Sequence, residues 1–421
     1  MRIALVAPFG LRAKGTGRAR ALPLGKALVR RGHQVALFVP PYDGPEDSGL
    51  HWLDDGVEVI NVRLPRALVL SSSASASSSA AAAGSFPNLD LRRLLSAVAP
   101  LWQLVLAWRL LSAVRAWHPE VVHVFKPKGP SGLAGVALWM LRVRLVIDAD
   151  DWEGPGGWND DPRTGYSALQ RRFFAWQECY GLSHAHAWTA ASHCLRRRAI
   201  DCGAAPGRVF LLPNGVSDRQ LPTATLRPDC TSVARGRQAA GPEAARVLLY
   251  TRFAGVRVAD VAAIWRRVTS VLPEARLVVV GRGLAGEENE LAHRVPNVDV
   301  SGWVEPSEMP ALFASMRVAL APWADTLPNR ARNSAKVLEL MSAGLPIVAY
   351  AVGELPVTLG DSAAVVPPGD EEAFAGAVVD LLNAPERAAQ LGADARRRVL
   401  AEYTWDKLAE IALCAYERTI T

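Results

Sequence analysis

The stretch NSAKVLELMSAGLPIVAY, residues 333–350, reads as a helix delivered directly into a buried strand. Asn333 or Ser334 can cap the helix, and Leu338, Leu340, Met341 and Ala343 give it one apolar side. Gly344 ends it, Pro346 bars its continuation, and Ile347 to Tyr350 form a short apolar strand. Lys336 and Glu339 break the pattern. They lie three residues apart, on neighbouring parts of one helical face, in a segment that otherwise looks buried. Either they form a surface ion pair or they face a ligand.

The same alternation extends outward. RVLLYTRFAG (246–255), a helical pattern over 258–272, ARLVVVGRG (275–283), VDVSGWV (298–304) and VALAPWA (318–324) precede the opening stretch. An earlier copy begins with RIALVAP, a glycine-containing loop, the helical ARALPLGKALVRRGH and QVALFVPP. It continues through EVVHVFKP (120–127) and RLVIDADD (144–151). Strand–loop–helix–strand order predicts parallel sheets that bind ligands at the carboxyl ends of their strands. The fold class expected is α/β, with two tandem Rossmann-like doubly wound domains over residues 1–212 and 213–400. Residues 401–421 are expected to form a C-terminal helix crossing back to the first domain. LLPNGVSD (211–218) marks the hinge, and residues 220–245, rich in Pro, Ala and Gly, read as a connecting loop. SSSASASSSAAAAGS (71–85) has no usable period and reads as a low-complexity loop of the first domain.

A length of 421 residues exceeds one comfortable core, and a composition half hydrophobic and 21% charged is that of a globular chain. The net charge of +6 favours anionic partners such as nucleotides, phosphates or an acidic membrane surface. Nucleic acid is not an expected partner, because no nucleic-acid motif and no basic patch interleaved with aromatics is present. The five cysteines, Cys179, Cys194, Cys202, Cys230 and Cys414, are odd in number and contain no Cys-x-x-Cys pair. They argue for a reducing compartment and against a disulfide framework or a zinc site. The chain enters a strand at once with no signal peptide, and the apolar segment 98–114 carries Arg109. That segment falls short of the ~18 uninterrupted apolar residues of a spanning helix. A cytoplasmic protein is expected. The basic runs Arg196–Arg198 and Arg396–Arg398, with the 98–114 helix, add the expectation of peripheral contact with the inner face of an anionic membrane.

Taken in order, the first glycine-containing loop, PNGV (213–216) and LELMSAGLPIVA (338–349) resemble the GT-B glycosyltransferases. The resemblance is closest to family 4, retaining transferases that use nucleotide-activated sugars, and is strongest from Arg246 to Pro368. It implies that Arg252 and Arg257 hold the donor diphosphate, Arg257 standing where the family has a Lys. Fixed cations there stabilise the charge that grows on the leaving group. Asn333, Ser334 and Lys336 fall where a helix N-terminus approaches the donor phosphates and sugar. Glu339 matches the second Glu of the family's Glu-x7-Glu pattern, which accepts bonds from the ribose hydroxyls. Ala331 stands where the first Glu belongs. Gly302 and Trp303 match the stretch next to the base.

In the first domain, Gly15, Thr16 and Gly17 match the family's glycine-rich loop and are candidate donor contacts. His123 matches the first of two family histidines, the second of which lies near the reacting sugar, and Phe125 stands at the second. The chain has six lysines, Lys14, Lys26, Lys126, Lys128, Lys336 and Lys407, and four of them fall in or near strand-to-helix loops. Lys126 and Lys128 are candidate acceptor contacts that could take over part of the missing histidine's role. DADDWEGPGGWNDD (148–161) is the most polar strand end. Asp148, Asp150 and Asp151 superficially match the metal motif of the other glycosyltransferase fold, but enzymes resembling this chain generally work without a metal. Asp150 is expected at the reacting centre. Asp148 and Asp151 would bind acceptor hydroxyls or orient lysines, with Trp152 and Trp158 as stacking faces.

The activity implied is a retaining, metal-independent hexosyltransferase with no cofactor. It would move a sugar from a nucleoside diphosphate to a sugar or lipid-linked acceptor. A non-catalytic sugar-nucleotide-binding subunit and a sugar-nucleotide 2-epimerase on the same fold are the alternatives. The absent Glu at Ala331 and His at Phe125 keep the first of these open.

Overall fold

The computed structural model describes residues 1–12, 15–42, 44–65, 99–217 and 245–420. Lys14, Cys230, the 71–85 segment and nearly all of the 220–245 connection lie outside the described residues. The chain divides into two units, Met1–Pro213 with Asp406–Thr421, and Asn214–Trp405.

In the first unit the strands are β1 (Arg2–Val6), β2 (Gln34–Val39), β3 (His51–Asp54), β4 (Val57–Asn61), β5 (Val121–Phe125), β6 (Leu145–Ala149), β7 (Ala187–Ala190) and β8 (Val209–Leu211). They form one sheet in the order β3-β4-β2-β1-β5-β6-β7-β8. All neighbours are parallel except β3 and β4. Both faces of β5 and β6 are covered, which is why VVHVF and LVIDA read as continuous rather than alternating runs. The β3–β4 hairpin was not expected from the sequence. Its signal is Asp55-Gly56, both with positive φ, flanked by the exposed edge strand HWLD and the alternating VEVIN.

In the second unit, β9 (Arg246–Tyr250), β10 (Arg276–Val280), β11 (Val298–Gly302), β12 (Val318–Ala321), β13 (Ile347–Tyr350) and β14 (Ala364–Val366) are all parallel. Their order, β11-β10-β9-β12-β13-β14, is that of a doubly wound nucleotide-binding sheet, and its direction reverses between β9 and β12. The equivalent reversal in the first unit lies between β1 and β5.

Helix Ala99–Ala116 buries Leu106, Leu110 and Val114 and leaves Leu101, Leu104 and Trp108 exposed. Among the described residues no helix is long and apolar enough to cross a membrane. The last helix starts at Trp405, later than the 401 boundary expected from the sequence. Residues 401 and 402 finish the preceding helix, and the short link after it pairs Val216 with Thr404.

A polar spine runs through the core of the first unit. Arg20, on the helical turn before helix Leu22–Arg30, donates from Nε to Asp148 Oδ2 and from Nη2 to Asp148 Oδ1, each at 2.7 Å. The same guanidinium donates to the carbonyls of Leu212 (2.6 Å) and Pro213 (3.0 Å), where the chain leaves this unit. Burial pushes the Arg20 pKa down, but the Asp148 carboxylate outweighs it and the guanidinium stays charged. Thr189 donates its hydroxyl to Asp148 Oδ1 at 2.5 Å, so its oxygen accepts from His123 Nε2 at 3.0 Å. His123 Nδ1 then accepts from the Tyr416 hydroxyl at 2.9 Å, which anchors the C-terminal helix on this unit. Burial and, after it, Arg20 hold the His123 pKa well below its ordinary value, so the ring is neutral, as this chain of donors requires.

Removing one partner of a buried pair costs more than removing both. Arg20→Met is therefore expected to lower stability by about 3–5 kcal/mol, and Arg20→Met with Asp148→Leu to recover a large part of it. Urea titration of the three variants checks this. Equal losses in single and double variants would show that the pair does not act as a unit.

Candidate functional site

Two clusters of polar and charged side chains occupy the carboxyl ends of the two sheets, one in each unit. In the second unit, β9 ends at Tyr250 and the chain turns through residues 251–257 before helix Val258–Val271. Phe253 is buried with φ +56, a left-handed conformation that a bulky residue adopts only where its surroundings enforce it. Its N–H donates to Thr251 Oγ1 at 2.9 Å. Gly255 has φ +82, and a Cβ there would fall 2.1 Å from Asn329 Oδ1. The absent side chain lets Asn329 Nδ2 reach the carbonyls of Gly255 (2.8 Å) and Ala324 (2.7 Å). Arg332 adds a bond from Nη1 to the Ala254 carbonyl at 3.0 Å and lies 4.0 Å above the Trp323 ring. The loop after β9 is thereby stapled to the segment after β12, across the point where the strand order reverses.

Helix Ala335–Ser342 starts at this junction. Ser334 is its cap, accepting from the Val337 N–H. Asn333 is not. Its Oδ1 accepts from the Asn214 N–H at 3.0 Å and its Nδ2 donates to Thr358 Oγ1 at 3.3 Å, while its carbonyl accepts from Asn214 Nδ2 at 2.7 Å. Asn333 is buried and its side chain clamps the PNGV turn, which corrects the expectation that it contacts the donor. Lys336 carries its ammonium 4.8 Å above the Tyr250 ring, and Glu339 lies half-buried three residues further along the helix. Arg252 is exposed and has no hydrogen-bond or ion-pair partner among the described residues. Arg257 is tied to Asp260 at 2.8 Å. Gly302 has φ +63 at the end of β11, where its carbonyl accepts from the Gly281 N–H at 2.7 Å. Trp303 is 58% exposed rather than part of the core. Ala331 is fully buried at the end of helix Leu327–Ala331.

Arg252, Lys336 and the first N–H groups of helix Ala335–Ser342 thus stand at one strand-order reversal. A helix N-terminus and two cations favour an anion there.

In the first unit the strand ends carry a denser network. Lys126 follows β5 with φ +49, and its buried ammonium meets Asp151 Oδ2 at 2.5 Å, Glu153 Oε1 at 3.1 Å and Asp150 Oδ1 at 3.7 Å. Lys128 meets Glu153 Oε2 at 2.8 Å and Asn159 Oδ1 at 2.6 Å, and lies 4.9 Å from the rings of Tyr166 and Phe174. Asp150 Oδ2 accepts from Thr16 Oγ1 at 2.5 Å, which couples the glycine-rich loop to β6. The Thr16 hydroxyl is therefore committed within the protein. Gly17 carries the close approach in that loop, since a Cβ there would meet Leu11 and the Phe9 carbonyl at 3.2 Å; Gly15 has only Phe9, at 3.9 Å.

Trp158 Nε1 donates to Asp151 Oδ1 at 3.1 Å, and the Trp152 ring is covered by Arg198 at 4.8 Å. Arg198 in turn pairs with Glu178, which accepts from the Glu153 N–H. Two residues expected here are not in the network. His123 and Asp148 have no exposed surface and belong to the core spine, because their side chains point into the fold rather than out of the strand ends. Among the described residues no group of three or more His, Cys, Asp or Glu side chains could hold a metal ion.

Glu153, Asn159, Glu178, Asn214 and Arg20 were not singled out from the sequence. The signal for Glu153 was its place within DWEGPGGW. Arg20 and Asn329 differ from surface polar residues only in what the fold puts beside them.

Two family profiles match the chain in tandem. The glycosyl transferase 4-like domain matches residues 15–215, and the glycosyl transferases group 1 domain matches residues 246–384. The chain belongs to the GT-B glycosyltransferases of the family 4 type.

Solved GT-B structures share the whole architecture. Sucrose-phosphate synthase from Thermosynechococcus elongatus has a TM-score of 0.67 at 20% identity, over 100% of this chain and 99% of that one. Anabaena HepE in complex with UDP and glucose has a TM-score of 0.63 at 16% identity, over 98% of each. Sequence relatives are closer over shorter spans. D-inositol 3-phosphate glycosyltransferase 2 of Catenulispora acidiphila is 31% identical over 235 residues, 52% of each chain. The MMP alpha-(1->4)-mannosyltransferase of Mycolicibacterium hassiacum is 31% identical over 126 residues, 29% of each chain. The matched span is thus about half or less of the length of these two relatives.

Burial pushes the Glu153 pKa up, but Lys126 and then Lys128 outweigh it and hold the carboxyl at about 2, below its ordinary 4.5. A lowered carboxyl pKa contributes stability that is complete above the ordinary value and is lost as pH falls toward the folded one. Glu153→Gln is therefore expected to lower stability by about 3 kcal/mol near neutral pH, because Lys126 and Lys128 lose the carboxylate they share. Urea titrations down to about pH 3 should show the gap to the wild type narrowing below about pH 4.5. A gap independent of pH would show that the charge of Glu153 plays no part.

Proposed function

We propose that the chain is a retaining hexosyltransferase that takes its sugar from a nucleoside diphosphate and passes it to a hydroxyl of an acceptor. The observation that carries this reading is the reach of the Lys336 ammonium, from the first turn of helix Ala335–Ser342, to the ring of Tyr250 at the end of β9, two residues before the exposed Arg252 and at the β9–β12 reversal. A diphosphate there meets fixed positive charge on the side where its own negative charge grows as the C1–O bond breaks. Glu339, on the same helix, is assigned to the ribose hydroxyls. Trp303 and the backbone at Gly302 lie next to the base. Arg257 closes on the diphosphate by leaving Asp260. The names of relatives support the substrate class: UDP and glucose for HepE, and GDP-mannose for a phosphatidylinositol monomannoside mannosyltransferase of Corynebacterium glutamicum.

The acceptor is assigned to the strand ends of the first unit, where Lys126, Lys128, Asp150 and Asp151 converge with Trp158. His123 and Phe125 are both buried, so no imidazole from β5 serves the reaction. A front-face course is the economical one. The C1–phosphate bond breaks with its electron pair going to the phosphate oxygen, the acceptor oxygen bonds to C1 on the same face, and its proton passes to the departing phosphate. Retention follows.

Arg252→Ala is expected to lower kcat by about 10²-fold with a smaller change in donor affinity. Glu339→Ala is expected to weaken donor binding by about tenfold, the loss of one bidentate hydrogen-bonding partner. Calorimetry with a panel of nucleoside diphosphate sugars, followed by donor hydrolysis and transfer assays, measures both. Wild-type affinity and rate in both variants would remove the donor from this site. Binding with no hydrolysis or transfer would instead support the sugar-nucleotide-binding subunit that Ala331 and Phe125 keep in view.

A further inference from the structure

Building on the acceptor assignment above, we infer that the first unit's site takes a hydroxyl-rich acceptor with no negative charge near its reacting hydroxyl, and excludes phosphorylated ones. Two lysines at a strand end would ordinarily read as an anion site. Here both are already spent. Lys126 is held by Asp151 and Glu153 and faces Asp150, while Lys128 is held by Glu153 and Asn159 and packed against Tyr166 and Phe174. Among the described residues two ammonium groups face three carboxylates, which leaves one negative charge in excess. The charged groups packed behind them add nothing to the balance, because Arg198 neutralises Glu178 and Arg20 neutralises Asp148.

The excess charge has an address. Asp150 has only 9% of its side chain exposed, and its Oδ1 has no hydrogen-bond partner, Lys126 Nζ being 3.7 Å away. Its Oδ2 is satisfied by Thr16. A buried carboxylate oxygen in this position calls for a donor, which a sugar or polyol hydroxyl, or an ammonium, supplies and a phosphate dianion cannot. A phosphate could reach the lysines only by displacing the carboxylates, leaving these buried and unpaired.

The burial of Asp151 raises its pKa despite Lys126, as expected where carboxylates outnumber cations. The aromatic surface agrees with the assignment. Trp158 is oriented by its bond to Asp151 and is half-buried beside the cluster, as an aromatic side chain at a sugar site would be. Gly157 fixes that turn, since a Cβ there would lie 2.1 Å from the Trp152 carbonyl oxygen.

The test uses the full chain and matched probes: glucose, glucosamine and glucose 6-phosphate, with the corresponding mannose set and myo-inositol with its 3-phosphate. Dissociation constants are read by ligand-observed NMR, and affinity for UDP and GDP is measured on the same samples. The neutral or amino member of at least one set is expected to bind at least about tenfold more tightly than its phosphate, the scale of an uncompensated like-charge contact. In Asp151→Asn and Glu153→Gln, which free the lysines, that preference is expected to shrink or reverse, with the unfolding midpoint confirming a folded chain. Equal or tighter binding of the phosphates, or no binding by any probe, overturns the inference. Loss of UDP and GDP binding would instead overturn the donor assignment, so the two failures are distinguishable.

Discussion

The first unit is organised around a guanidinium taken out of water. Arg20 is almost wholly buried, and its charge is made tolerable by two bonds to Asp148 and by bonds to the carbonyls of Leu212 and Pro213, with the Thr189 hydroxyl bonding Asp148 in turn. That one constraint orients β6 through Asp148 and β7 through Thr189. It also fixes the proton on Nε2 of His123 and docks the C-terminal helix through Tyr416. The carboxylates after β6 are divided by the same device. Asp148 turns inward to Arg20, so Asp150 and Asp151 are left for the strand end, where Lys126 gathers them.

The second unit solves its problem differently. No comparable buried pair holds the loop after β9 among the described residues; the loop is held by side-chain amide and guanidinium donors bonding main-chain carbonyls, at Gly255, Ala324 and Ala254. Backbone carbonyls are directed toward Asn329 and Arg332, while Arg252 stays exposed. Rigidity of the loop and freedom of its cation then coexist, which is what preorganised charge stabilisation needs.

The fold was legible in the sequence because parallel strands covered on both faces must be short apolar runs, and RIALVAP, RLVIDADD and VALAPWA could be little else. The strands that escaped reading were those without that signature. β3 is an exposed edge, and β7, β8 and β14 are only three or four residues long. The site was legible in part. Lys336 and Glu339 could be picked out as candidates because they interrupt an apolar helix, and Arg252 because its stretch resembles the family's. The division of labour among His123, Asp148, Asp150 and Asn333 was not. Which face of a strand end turns inward depends on partners from 25 to 293 residues away, and a single sequence carries no record of those pairings. The lysines show the same limit. Composition marked them as unusual, yet only the structure shows the carboxylates that hold them.

The account rests most heavily on a nucleotide diphosphate binding to the second unit at the β9–β12 reversal. Amide hydrogen exchange of the full chain, with and without saturating UDP or GDP, tests that placement directly. The prediction is slowed exchange concentrated in residues 251–257 and 333–340 and at the end of β11, with the strand ends of the first unit least affected. Protection centred on residues 123–130 and 148–160, or no change anywhere with either nucleotide, would contradict it.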